Sequence, residues 1–294
     1  MSSPRRASSR RRNPIIVLAC CLLVILVFVV ALILVFIPRQ RTSAEGTSKN
    51  LADIIVRRCR VYVQEHESLG SRDCEEIKNR FLNSVIGKDP CNITMNDYDF
   101  FMEAARQNIS CNKFLFWSKT KEIAHFVSSV YMNINVINPS KCVMTLEDSL
   151  VGYMMDGLKW CSRVGMKEMD YSSCPGWNDC ELNSVKSFWK RASLYFASIA
   201  CGNVSVMLNG SISDPFSDSS LFANTESRKL NSKNIDEVNI LLVDSPPDRN
   251  MCESSSIREL RSVLSGSNIR YKCTALKSTE VKQCISSAQS CNCF

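Results

Sequence analysis

The residues best suited to chemistry are carboxylates close to aromatic rings. FLFWSK carries Trp117, TLED carries Glu147, MMDG carries Asp156, SFWKRAS carries Trp189 and FANTES carries Glu226. A carboxylate held in an apolar setting can move a proton or stabilise a positive charge that develops beside it. The face of a tryptophan attracts cations. The stretch MTLEDSLVGYMMDGLKW, residues 144–160, is the sharpest case, because it is mostly apolar yet contains Glu147, Asp148 and Asp156. Plainer readings stand beside these. Trp117 and Trp189 could be core residues, Glu147 and Asp148 after Thr145 could cap a helix, Asp156 before Gly157 could end a turn, and Glu226 could be a solvated loop residue. Trp189 and Ser193 are four apart, so a helix presents them on one face. The chain has two histidines, His66 and His125. That is thin support for a Ser-His-Asp or Cys-His mechanism, and His125, in KEIAHFVSSV, reads as a helix-surface or packed residue. No glycine-rich phosphate loop is visible.

The elements that must position these groups are legible as patterns. CEEIKNRFLNSVIG spaces Ile77, Phe81, Leu82, Val85 and Ile86 as one helix face and stops at Gly87. DYDFFMEAARQ reads as a second helix. SVKSFWKRASLYFASIACG sets Val185, Phe188, Trp189, Ala192, Phe196, Ile199 and Ala200 on one broad face. After residue 202 the rhythm changes. VSVMLNG and VNILLV (238–243) read as strands, CESSSIRELRSVLSG as a helix, and NIRYKCTAL as a third strand, which together imply a parallel crossover. SISDPFSDSSLFANTES, 211–227, reads as a loop leaving a strand, where ligand crevices of such sheets form. The expected fold class is therefore α+β: a helical N-terminal part with a C-terminal α/β part around a short parallel sheet, in a disulfide-rich ectodomain.

Residues 15–37 form an uncharged apolar run long enough to cross a bilayer, too long for a cleaved signal peptide. Arg5, Arg6, Arg10, Arg11 and Arg12 precede it, while only Arg39 and Arg41 follow closely. The positive-inside rule thus expects a cytoplasmic tail over 1–14, a signal-anchor over 15–37 and a polar stalk over 38–50. The mainly helical part then spans 51–202 and the α/β part 203–294. Of 36 basic residues, seven lie in residues 1–41 with no acid, which leaves 29 basic against 29 acidic beyond. The net charge of +7 belongs to the membrane flanks, and nothing points to a nucleic-acid partner. Fourteen cysteines follow residue 58, an even and dense set that reads as a disulfide framework. With no CxxC and two histidines, no metal is expected. Sequons at Asn92, Asn108, Asn203 and Asn209 suit a glycosylated exterior.

Taken in order, KDPCNIT, SCNKFLFWSK, MTLEDSLVGYMMDGLKWC, YSSCPGW, SVKSFWKRASLYFASIACG and VSVMLNGS resemble the ADP-ribosyl cyclase/cyclic ADP-ribose hydrolase family. Its members are NAD-consuming glycohydrolases, and the likeness runs from about Cys59 to Cys293. The resemblance implies that Glu226 is the catalytic glutamate and that Trp117 and Trp189 bracket the nicotinamide and ribose end. It implies that Glu147 positions nicotinamide and biases cyclisation against hydrolysis, with Asp156 a second acid near the amide and Ser193 a hydroxyl beside the reacting ribose. Ser118 and Lys119 match a phosphate-binding pair, and Phe222 a backbone contact to the phosphates. Implied bridges are Cys59–Cys74, Cys91–Cys180, Cys111–Cys201, Cys161–Cys174, Cys252–Cys273 and Cys284–Cys293. Cys142 and Cys291 are left over, to pair with each other or between two chains, or with Cys291 replacing Cys293. NAD is the substrate and no cofactor is expected. The expected place is the plasma membrane, single-pass type II, with the catalytic part outside; a homodimer and a protein ligand stay open. One departure stands out. The family pattern Ser-Thr-Phe-Gly-Ser-x-Glu is here Ser220-Leu221-Phe222-Ala223-Asn224-Thr225-Glu226. Leu221 loses a hydroxyl and Ala223 replaces a glycine, which favours an alternative: a cell-surface receptor or adhesion glycoprotein on the same fold with little or no turnover.

Overall fold

Val204–Leu208 and Val238–Val243 are apolar on both sides of the strand, so each must be covered on both faces. The structure is a computed structural model that describes residues 45–129, 131–132 and 140–287. In it these runs are the central strands of a four-stranded parallel sheet. Helices α1 (Leu51–Glu65), α2 (Cys74–Val85) and α3 (Asp99–Ala104) precede strand β1 (Leu115–Ser118). Helix α4 (Lys121–Ser129) follows, and the two-residue strands β2 (Tyr131–Met132) and β3 (Ser140–Lys141) pair antiparallel. Then come α5 (Leu150–Met155), α6 (Ser184–Ile199), β4 (Gly202–Asn209), β5 (Ile235–Val243), α7 (Ser255–Gly266), β6 (Arg270–Leu276) and α8 (Ser278–Ser287). The sheet order is β1-β4-β5-β6.

One face of the sheet, with Phe116, Val206, Ile240 and Leu242, packs into the large core of α1, α2, α3, α6 and α7. The other, with Leu115, Met207, Leu241 and Val243, is covered by Ile123, Ala124 and Val127 of α4 and Val281 and Ile285 of α8. The helices start where the chain offers side-chain acceptors: Asp73 caps α2, Asn183 caps α6 and Ser254 caps α7. The α6 helix is fixed by an aromatic cluster, in which Phe188 lies 5.1 Å from Trp160 and 5.2 Å from Tyr98, ring centre to ring centre. Buried Tyr98 is fully paired: its hydroxyl donates to the Ser184 carbonyl at 2.8 Å and accepts from Trp160 Nε1 at 3.1 Å.

Two expectations about boundaries change. The sheet does not begin after residue 202, because β1, inside the part read as helical, pairs in parallel with β4 from Leu115–Ser205 to Ser118–Leu208. A strand of four residues is too short to show a period, and its partner lies about 90 residues away. Of the expected stalk over 38–50, residues 38–44 lie outside the described residues, and residues 45–50 are folded chain. Thr47 is buried, its N–H donates to the Asp170 carbonyl at 2.9 Å, and Ser48 N–H donates to the Lys159 carbonyl at 2.9 Å. A Cβ on Gly46 would fall 2.1 Å from the Tyr171 carbonyl oxygen, so this polar segment is held by backbone pairing that composition does not reveal.

Five disulfides brace the described residues: Cys59–Cys74, Cys91–Cys180, Cys111–Cys201, Cys161–Cys174 and Cys252–Cys273. Cys142 and Cys284 are also disulfide-bonded. Cys291 and Cys293 lie outside the described residues, as do the expected tail and signal-anchor. Contacts divide the chain into Met1–Ala44 and Glu45–Phe294, and every described residue belongs to the second. Among the described residues no helix is long and apolar enough to cross a membrane.

Candidate active site

A cavity of about 550 Å³ opens at the carboxyl end of the sheet, where open parallel sheets bind ligands. Four elements supply most of its lining. The end of β1 supplies Trp117 and Ser118, and Lys119 follows with a φ of 57°. One stripe of α6 supplies Val185, Trp189, Ser193 and Phe196, the i, i+4, i+8, i+11 spacing of a single helix face. The stretch 144–160 supplies Glu147 and Asp156. The segment after β4 supplies Ser219, Ser220, Leu221 and Glu226.

The carboxylates of 144–160 divide their roles. Asp148 caps a 3₁₀ turn, Leu146–Asp148: its Oδ2 accepts from the Thr145 amide and hydroxyl, both at 2.8 Å. That leaves Glu147 to face the cavity, where Trp117 Nε1 donates to its Oε2 at 3.2 Å. The turn sits directly on α5, and a Cβ on Gly152 would meet the Leu146 carbonyl oxygen at 2.0 Å. Asp156 ends α5, and Gly157 takes a φ of 72° after it. Arg58 of α1 reaches across to donate to the carbonyls of Met154 at 3.1 Å and Asp156 at 2.7 Å, which fixes that helix end.

Glu226 closes a single π-helical turn, Phe222–Glu226, and is 6% exposed. Burial pushes its carboxyl up from 4.5 to about 8. A hydrogen bond from the Ser193 hydroxyl opposes the rise, and the nearby Glu147 charge adds to it. A carboxylate desolvated among tryptophans and within the field of a second carboxylate attracts a cation strongly. The ionisable groups of the lining are three carboxyls, Glu147, Asp156 and Glu226, and one amine, Lys119.

Of the residues singled out in the sequence, Glu226, Trp189, Glu147, Ser193, Trp117, Ser118, Lys119 and Asp156 come together in this one cavity. Phe222, expected to contribute through its backbone, does not line the cavity with its side chain. Its ring is buried against Phe116 at 5.8 Å and Phe216 at 5.9 Å, beneath the lining rather than in it. Ala223 needs no glycine: its backbone stays out of the left-handed region, inside the π turn. The residues missed are Trp177, Ser219 and Ser220. Trp177 is 41% exposed at the cavity, and its only sequence signal was an aromatic three residues after Cys174 in YSSCPGW.

The model of the family described as ADP-ribosyl cyclase matches residues 48–293. ADP-ribosyl cyclase/cyclic ADP-ribose hydrolase 1 of Rattus norvegicus is 38% identical over 231 residues, covering 77% of this chain and 73% of the relative. ADP-ribosyl cyclase/cyclic ADP-ribose hydrolase 2 of Homo sapiens is 31% identical over 252 residues, covering 84% of this chain and 76% of the relative. Among solved structures, porcine CD38 complexed with a covalent intermediate, ribo-F-ribose-5'-phosphate, superimposes with a TM-score of 0.70 at 36% identity. That match covers 80% of this chain and 99% of the porcine one.

Proposed function

The chain belongs to the ADP-ribosyl cyclase family, and from that membership we propose that it is an extracellular NAD glycohydrolase and ADP-ribosyl cyclase. It cleaves the bond between nicotinamide and ribose, and gives nicotinamide with ADP-ribose and cyclic ADP-ribose. The observation that carries the reading is Glu226, buried in the lining of a tryptophan-lined cavity and bonded by Ser193. Nicotinamide in NAD is already cationic and departs neutral, so no histidine acid is needed. The barrier lies in the positive, oxocarbenium-like ribose left behind. Glu226 stabilises that charge or adds to the carbon, as a carboxylate does in retaining glycoside hydrolysis. Trp117 and Trp189 suit the pyridinium ring at roughly 0.5–2 kcal/mol each. Glu147 and Asp156 take the amide end, and Lys119 with Ser118 takes the phosphates. Water then attacks to give ADP-ribose, or the adenine attacks to close the ring.

The uncharged apolar run 15–37 and the arginine-rich flank before it support a place at the cell surface, with residues 1–14 inside and the enzyme outside. The sequon residues Asn92, Asn108 and Asn203 are exposed and Asn209 is partly so, which leaves all four open to carry glycans. Leu221 favours a second reading. It lines the cavity where the family pattern places a threonine hydroxyl, and the lost hydrogen bond would leave a weak enzyme that serves as a receptor. One assay separates them: NAD is incubated with the purified protein, and nicotinamide, ADP-ribose and the cyclic product are resolved. Nicotinamide release should fall about 10³-fold or more in Glu226→Gln with folding intact. Turnover retained in that variant would remove the catalytic assignment, and binding without release in the unsubstituted protein would establish the receptor.

A further inference from the structure

Glu147 has a second donor group beside it. His125, on α4, places Nε2 3.8 Å from Glu147 Oε2, the same oxygen that accepts from Trp117 Nε1. Its ring stands edge-on to the Trp117 indole, with centres 5.6 Å apart and planes at 86°. The Nε2 atom is shielded from solvent and has no hydrogen-bond partner among the described residues. His125 is absent from the cavity wall, so it stands behind Glu147 and Trp117 rather than against a ligand. Its backbone is held firmly, because Ile123, Ala124 and Val127 on the same helix are buried under the sheet. A shielded ring nitrogen left without a partner calls for a reason. At 3.8 Å it is outside hydrogen-bond range by less than an ångström of side-chain movement. Hydrogen bonds of this kind commonly tighten only when substrate is bound.

We propose that His125 is a positioning residue: in the occupied site its Nε2–H closes on Glu147 Oε2, and this grip sets the ratio of ADP-ribose to cyclic ADP-ribose. With Trp117 and His125 both on one oxygen, the carboxylate is locked in one orientation toward the nicotinamide end. Without His125 it rotates about a single donor, and the intermediate is held less firmly while water or adenine attacks. The inference rests on the NAD-cleaving reading.

The test uses the full chain with NAD and measures kcat, KM and the product ratio. His125→Phe keeps a ring edge against Trp117 but has no N–H, whereas His125→Gln restores an N–H donor. The phenylalanine variant should move the product ratio on the order of threefold to tenfold, and the glutamine variant should stay within about twofold of the unsubstituted protein. In a Glu147→Gln background, His125→Phe should add nothing further. His125→Leu is read in the same way if the phenylalanine variant is not produced folded. An unchanged ratio in a folded, active His125→Phe protein would overturn the inference alone, as would an equal shift with and without Glu147. No nicotinamide from the unsubstituted protein would overturn the functional reading and this inference with it.

Discussion

Glu226 must be ionised to stabilise a cationic sugar, yet burial pushes its carboxyl up to about 8 in the empty site. Below that pH the free enzyme holds Glu226 neutral, so kcat/KM for nicotinamide release should rise as pH increases through about 8 and then level. The cationic ring of bound NAD favours the carboxylate, so the kcat profile should rise at lower pH than the kcat/KM profile. Glu147→Gln removes a charge that adds to the rise and should move the kcat/KM inflection downward; a flat profile between pH 6 and 9 would contradict this. The same group affects stability. Between 4.5 and about 8 the folded protein keeps a proton that the unfolded chain has lost. Stability from this group is therefore present at low pH and falls as pH rises through that window. Glu226→Gln should consequently be more stable than the unsubstituted protein at pH 8, by roughly 1–3 kcal/mol in denaturant titration. In the sequence this residue was legible as one carboxylate near aromatic residues, and its catalytic role only through the family resemblance. Its burial and its contact with Ser193 depend on a π turn that no spacing announces.

At the scale of elements, the site depends on the close seat of the Leu146–Asp148 turn on α5. Gly152→Ala would drive a methyl into the Leu146 backbone, so the turn must lift and carry Glu147 away from Trp117. We expect a loss of about 2–4 kcal/mol in stability. At temperatures where the variant remains folded, the product ratio should also change; an unaltered ratio would show that Glu147 does not act there. The helix faces of α2 and α6 could be read from periodicity, since each buries one stripe over three turns or more. Strand β1 could not, because its four residues give no period and its partner is distant in sequence. The capping by Asp148 fitted the plain reading of TLED, while the cavity-facing position of Glu147 one residue earlier did not.

For the molecule as a whole, Cys111–Cys201 joins the chain just before β1 to the residue just before β4, closing a separation of 90 residues. Asn112 reinforces it: its N–H donates to the Cys201 carbonyl at 3.0 Å, and its Oδ1 accepts from Asn203 N–H at 2.7 Å. Replacing both cysteines by alanine should cost about 2–5 kcal/mol and loosen β1, with Trp117 at its end. Thermal unfolding with tryptophan fluorescence would report both effects, and an unchanged midpoint would show that strand pairing alone suffices. The sequence by itself determined the apolar and polar periods, the buried strand runs of β4 and β5, the cysteine-rich exterior and the motifs that carry the family. These are local or compositional, set by side-chain type at short spacing. Only the tertiary structure decided that β1 joins the sheet, that Phe222 lies beneath the cavity, that Thr47 is buried and that His125 stands behind Glu147. Each of those follows from contacts between residues far apart in the chain, where backbone hydrogen bonds and packing, rather than neighbouring side chains, fix the position.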